Sequence, residues 1–122
     1  MSETQDFLVV TTIGPENNEK LLMPFIVANA ALLMDIKTTI FMMANAVALS
    51  VKGEAEKVEP LEGMPIFKEL LSTFLELGGD IKLCGPCCNH RNITPEDLIE
   101  GAEIGGAAGL VDMMISRKVV TY

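Results

Sequence analysis

At 122 residues and 13.2 kDa the chain has the length of one compact domain, 1–122, long enough to bury a hydrophobic core without disulfide staples. Its 9 basic residues face 17 acidic ones, a net charge of −8, with no Lys/Arg cluster, and this argues against nucleic acid as a partner because phosphate neutralisation needs a basic face. The composition is 49% hydrophobic and only 21% charged, with 8 Met and no Trp, so either an Ala- and Met-rich core or a subunit interface must absorb the apolar surface.

The opening "MSETQDF" is polar and acidic and lacks the basic start and apolar run of an export signal. The longest nearly apolar runs, "FIVANAALLM" and "IFMMANAVALSV", fall short of the roughly 18 residues of a membrane-spanning helix. No membrane span is expected, and the location read from the sequence is cytoplasmic. Thiols stay reduced in that compartment, so closely spaced cysteines point to catalysis or metal binding rather than to structural disulfides.

In chain order, "FLVVTTI" (Phe7 to Ile13) is a short β-branched run ending at Gly14-Pro15, which predicts a strand buried on both faces. From Lys20 to Met34 the apolar residues follow helical spacing, with Asn17 or Asn18 as caps and Pro24 marking either a kink or the first turn. "DIKTTIFMM" reads as the next strand, and "ANAVALSVKG" as a short helix or a loop against the sheet. Gly53 to Pro65 mixes charges with Gly and Pro and is the place for a mobile loop.

Ile66 to Leu77 resumes a helical pattern closed by Gly78-Gly79, and "DIKLC" follows as a strand that ends in a cysteine. "TPEDLI" carries Thr94 as cap, Pro95 in the first helical position and Asp97 in the first turn. "GAEIGG" predicts a short strand, "AAGLVDMMISR" a helix and "KVVTY" a last strand. Strands alternating with helices imply an α/β three-layer sandwich, about five mostly parallel strands with helices on both faces.

The chemistry gathers in "LCGPCCNHR", Leu83 to Arg91, which holds all 3 cysteines and the single histidine. Reactive groups in open α/β sheets collect at the C-terminal ends of the strands, where Cys84 falls. A helical turn starting near Pro86 would aim free N–H groups at the Cys84 sulfur and favour a thiolate, with Arg91 and Lys82 as further positive charge. The alternative is a buried cysteine acting as a small hydrophobe.

Cys84-Gly85-Pro86-Cys87 also matches a redox dithiol, although it lies late in the chain and has Leu83 before it. Zinc is a third reading, since Cys84, Cys87, Cys88 and His90 are competent ligands, but no second Cys or His pair stands elsewhere and none is assigned. A Cys–His nucleophilic pair depends on a turn that the sequence does not define, and His90 in solvent is the simpler reading.

With these residues in place, the chain resembles the DsrE/DsrF-like family, whose relatives include sulfur-relay proteins of tRNA thiolation and of dissimilatory sulfur oxidation. The resemblance rests on "TTIGPENNEKLLMPFIVANAALLMDIKTTIFMM", on "LELGGDIKLCGPCCNHRNI" and on "LIEGAEIGGAAGLVDMMISRKVVTY". Asn92 stands where the family more often has glycine, and Asn also accepts left-handed geometry. The resemblance implies a flavodoxin-like sandwich, a homotrimer or homohexamer, and a persulfide on the strand-end cysteine, Cys84. Cys87 is the natural second thiol, while Gly85, Pro86 and Arg91 support the site. Sulfur donor and acceptor proteins are the implied partners, and no cofactor is expected. A thiol–disulfide oxidoreductase and a non-enzymatic assembly subunit remain the alternatives, and no role is assigned to Cys88.

Overall fold

The β-branched runs of the sequence pair side by side into one sheet in the computed structural model, which describes residues 5–122; the first four residues of the acidic opening lie outside the described residues. The strands are β1 (Phe7–Thr11), β2 (Thr38–Met42), β3 (Asp80–Cys84), β4 (Ala102–Gly105) and β5 (Lys118–Thr121). Every pairing is parallel, in the order β4-β3-β2-β1-β5. The helices are α1 (Leu22–Leu33), α2 (Phe67–Glu76), α3 (Gly85–His90) and α4 (Ala107–Ser116). The expected layering of helices on both faces of a parallel sheet is found. The strand order differs from that of flavodoxin itself, which runs 2-1-3-4-5.

That order fixes where the helices go. Right-handed crossovers from β1 to β2, β3 and β4 all step the same way across the sheet and so place their connections on one face. The return from β4 to β5 steps the opposite way and puts α4 on the other face. Strand alternation supplies both faces with apolar side chains. Val9, Ile40, Met42, Ile81 and Leu83 meet Leu22, Phe25 and Ala28 of α1 and Phe67, Leu71 and Phe74 of α2 in the larger core. Phe25 is edge-on to both Phe67 and Phe74, with ring centroids 5.1 and 5.9 Å away. The opposite core is small: Leu8, Val10, Phe41 and Cys84 under Leu110 of α4.

Local sequence explains the ends of the elements. Asn17 Oδ1 accepts the N–H groups of Glu19 and Lys20 at 3.2 and 2.9 Å and so caps the turn that feeds α1. Pro24 falls in the first turn of α1, where its missing N–H has no helical partner to lose. Gly78, at φ 89°, closes the turn after α2 in left-handed geometry. "ANAVALSVKG" begins as a 3-10 helix, Ala44–Ser50, and the charged loop contains a 3-10 turn, Ala55–Lys57, that buries Ala55.

One expectation is corrected. The strong start signal at Thr94 produces only the 3-10 turn Pro95–Asp97. The capping contacts exist, with Asp97 Oδ2 accepting from the Thr94 N–H at 2.8 Å and its hydroxyl at 3.0 Å. The chain leaves helical geometry because its backbone finds better partners in Ser50 and Lys52, on either side of Val51. Leu98 bridges Val51 antiparallel, the Lys52 N–H donates to the Asp97 carbonyl and the Ile99 N–H donates to the Ser50 carbonyl, both at 2.9 Å. Among the described residues no helix is long and apolar enough to cross a membrane.

Candidate functional site

β3 ends at Cys84, beside Gly105 of β4, and the chain turns straight into α3. Cys84 is 8% exposed and packs on the α4 side of the sheet with Phe41. The Cys87 N–H, in the first turn of α3, donates to Cys84 Sγ at 3.4 Å. Gly85 and Pro86 form the first two positions of that helix, which starts one residue ahead of the Pro86 expected from the sequence. Cys87 is half-buried and touches both cores, and its own Sγ accepts the backbone N–H of Ala44 at 3.1 Å. Cys88, 1% exposed, points into the larger core on the other side of the sheet, while His90 is exposed at the end of α3.

Arg91 lies across the end of this turn. Its Nη1 donates to the Cys87 carbonyl at 3.1 Å and its Nε to Asn45 Oδ1 at 3.4 Å. Asn45 Nδ2 in turn donates to Glu16 Oε1 at 2.7 Å, and the Gly14 N–H donates to the same carboxylate at 3.1 Å. The chain segments that follow β1, β2 and β3 are thus tied together around the thiols. Two backbone features hold the junction. Ala44, whose N–H faces Cys87 Sγ, adopts φ 52°, a left-handed conformation unusual for a residue with a side chain. Gly14 sits so close to the Asn45 carbonyl that a Cβ there would collide with its oxygen. Asn92, at φ 56°, takes the left-handed geometry that its residue type allows.

The electrostatics correct the thiolate expectation at Cys84. Burial pushes its thiol up, the neighbouring Cys87 thiol adds to this, and the Cys87 N–H and the Arg91 charge only partly oppose it. Cys88 is pushed up as well, by burial first and then by the two other thiols. Glu16 runs the other way: burial works to raise it, but hydrogen bonds from Asn45, from the Gly14 N–H and from its own N–H, together with the Arg91 charge, hold its carboxyl below the ordinary range.

Lys82 does not serve the thiols. Its Nζ pairs with Glu103 at 2.6 Å and with Asp80 at 3.8 Å, so its charge is matched across the sheet. Among the described residues no three His, Cys, Asp or Glu side chains form a metal-holding group.

The structure therefore brings together Cys84, Cys87, Gly85, Pro86 and Arg91 and leaves Cys88 and His90 apart. It adds Gly14, Glu16, Ala44 and Asn45, which sequence reasoning missed. The signal for them was positional. They follow directly on β1 and β2, and the C-terminal edge of a parallel sheet is where such segments meet.

Comparison with known proteins agrees with this architecture. The uncharacterized protein MJ0989 of Methanocaldococcus jannaschii is 37% identical over 117 residues, covering 95% of this chain and 98% of that protein. Protein YchN of Escherichia coli is 28% identical over 121 residues, covering 97% of this chain and 99% of YchN. The crystal structure of the E. coli ychN protein superposes with a TM-score of 0.82 at 27% identity, covering 98% of this chain and 100% of that one. The family model described as the DsrE/DsrF-like family matches residues 5–122, and the chain belongs to that family.

Proposed function

We propose that this protein is a small cytoplasmic sulfur carrier or sulfurtransferase that holds sulfane sulfur as a persulfide on Cys84, with Cys87 as its second thiol. The observation that carries the reading is the placement of Cys84: last residue of β3 in a DsrE/DsrF-like chain, with the Cys87 N–H on its sulfur. Loading is a sulfur transfer without net oxidation. A thiolate of the site attacks the outer sulfur of a donor persulfide, the donor's S–S bond breaks, and its electron pair leaves on the donor thiolate, the transferred sulfur being held in the end on Cys84. The Cys87 N–H and the Arg91 charge favour the anion that results on Cys84. Delivery to an acceptor thiol is the same exchange in reverse, so sulfur donor and acceptor proteins are the partners.

The outer side of α4 supports a homo-oligomer, a trimer or a hexamer. Val111, Met114 and Ile115 are 52%, 37% and 80% exposed on a helix whose single charge is Asp112. An apolar stripe of that kind on the surface marks a contact site.

The test is intact-mass analysis after incubation with a persulfide donor and removal of that donor. Sulfur should be retained in the wild type and in Cys88→Ser but not in Cys84→Ser; retention that ignores Cys84 would sink the proposal. A second reading, thiol–disulfide exchange, has the free and neighbouring Cys84 and Cys87 in its favour. It predicts a reversible Cys84–Cys87 disulfide and turnover with a thioredoxin-type reductase, in place of retained sulfur.

A further inference from the structure

The three thiols of the cluster occupy different surroundings, and Cys87 is the least buried of them. We propose that Cys87 is the transfer thiol of the site: sulfane sulfur from a persulfide donor lands first on Cys87 and passes from there to Cys84, the inner holding thiol. The inference rests on the sulfur-carrier reading and assigns the order in which the two sulfurs act.

Access is the first argument. Thiol exchange depends on which sulfur an incoming group can reach. Cys84 is 8% exposed, closed in by Phe41 and by its neighbours on the α4 side, whereas Cys87 is half-buried at the mouth of the turn. A donor bound to another protein meets Cys87 before Cys84. Cys88, sealed in the larger core, takes no part.

The second argument is the fixed donor on each sulfur. The Ala44 N–H points at Cys87 Sγ from 3.1 Å and the Cys87 N–H points at Cys84 Sγ from 3.4 Å. In the internal step the Cys84 thiolate attacks the outer sulfur of the Cys87 persulfide. The bond between that sulfur and Cys87 Sγ breaks, and its electron pair stays on Cys87 Sγ, where the Ala44 N–H receives the new charge. The proton lost by Cys84 is returned to Cys87, and nothing is oxidised or reduced overall.

The geometry needed for this is not free. The left-handed Ala44 is kept in place by Asn45, which Glu16 and Arg91 grip from two sides. Strain of this kind persists only where the surroundings enforce it. The same Arg91 also holds the Cys87 carbonyl, so one guanidinium aligns both halves of the contact.

Two measurements test the order. In the wild type without sulfur, limiting iodoacetamide followed by peptide mapping should modify Cys87 first; modification of Cys84 first would overturn the inference without involving persulfide chemistry. With a protein persulfide donor and rapid quenching, Cys87→Ser should still end with sulfur on Cys84 but reach it about tenfold more slowly, and Cys84→Ser should show a short-lived sulfur on Cys87 formed at the wild-type rate. Loading of Cys84 at the wild-type rate in both Cys87→Ser and Cys87→Ala would refute the transfer role and leave the carrier reading standing. A wild type that retains no sulfur on Cys84 would instead refute the carrier reading.

Discussion

Replacing Gly14 by alanine should damage the site and the fold together. A methyl group at Gly14 would collide with the carbonyl oxygen of Asn45, and the next nearest atoms are the Asn45 carbonyl carbon and the Ala46 nitrogen. All of these are backbone, so no rotamer change relieves the clash. The segments that follow β1 and β2 must separate just beyond the Met43 N–H bond to the Thr11 carbonyl, 2.9 Å long.

Overpacking of this kind costs about 1–3 kcal/mol. Displacing Asn45 also strains its hydrogen bonds to Glu16 and Arg91, each contributing about 0.5–1.5 kcal/mol. Alanine recovers about 0.4–1 kcal/mol by restricting the unfolded chain. The expected net loss is about 3 kcal/mol, and for 122 residues that lowers Tm by about 12 °C. Thermal and urea melts measure it. Gly106→Ala is the matched control, because a Cβ there meets nothing within 4 Å and its backbone is extended at φ −105°. A Gly14→Ala protein as stable as the Gly106→Ala control would refute the close-approach argument.

Further outcomes follow from the same geometry. Glu16 has its carboxyl held low, so its contribution is present above the unfolded value and is lost as pH falls through the folded one; Glu16→Gln should cost about 1 kcal/mol or less at neutral pH and flatten the stability profile on the acid side, read by melts across pH. Cys84 is the reverse case: burial first and then Cys87 raise it, so the fold favours the thiol and loses that contribution as pH rises through the folded value. Its alkylation midpoint should lie above that of a small thiol, and Arg91→Gln should move it higher still; a midpoint below the small-thiol reference would contradict the assigned burial. Ile115→Asp, at a site 80% exposed, should change monomer stability by no more than about 0.5 kcal/mol yet dissociate the oligomer in light scattering, whereas a wild type already monomeric at micromolar concentration would end the interface reading.

Most of the fold was legible because its elements are locally consistent. "DIKLC" is β3 residue for residue, and "FLVVTTI", "GAEIGG" and "KVVTY" each contain the strand that forms. Pro24 called for either a kink or a place in the first turn of a helix, and it lies in the first turn. Where the sequence misled, contacts distant along the chain had intervened. Thr94 carries good helix-start chemistry, but pairing with Val51 ends the turn after three residues. Lys82 shares a face with Cys84, but Glu103 on the neighbouring strand takes its charge. Glu16, Asn45 and Arg91 lie on three separate segments, and no spacing rule connects them. Burial of Cys84 depends on α4 crossing the sheet some twenty-odd positions later, so the sign of its shift could not be read locally.

The arrangement of the thiols follows from how the chain passes from strand to helix. Cys84 is the last residue of β3, and alternation from Leu83 aims it at the α4 side of the sheet, opposite the larger core that Leu83 joins. Cys87 and Cys88 are successive residues of α3, about 100° apart around its axis. If Cys88 is to anchor the helix in the larger core, Cys87 must turn toward the edge of the sheet, and there Ala44 meets its sulfur. A Cys-x-x-Cys-Cys pattern at a strand-to-helix junction thus separates three thiols into an inner one, an outer one and a buried anchor. That separation works against a shared metal ion, since the anchor's sulfur lies on the far side of the sheet from Cys84, and it leaves Cys84 and Cys87 as the neighbouring thiols on which the proposed sulfur exchange rests.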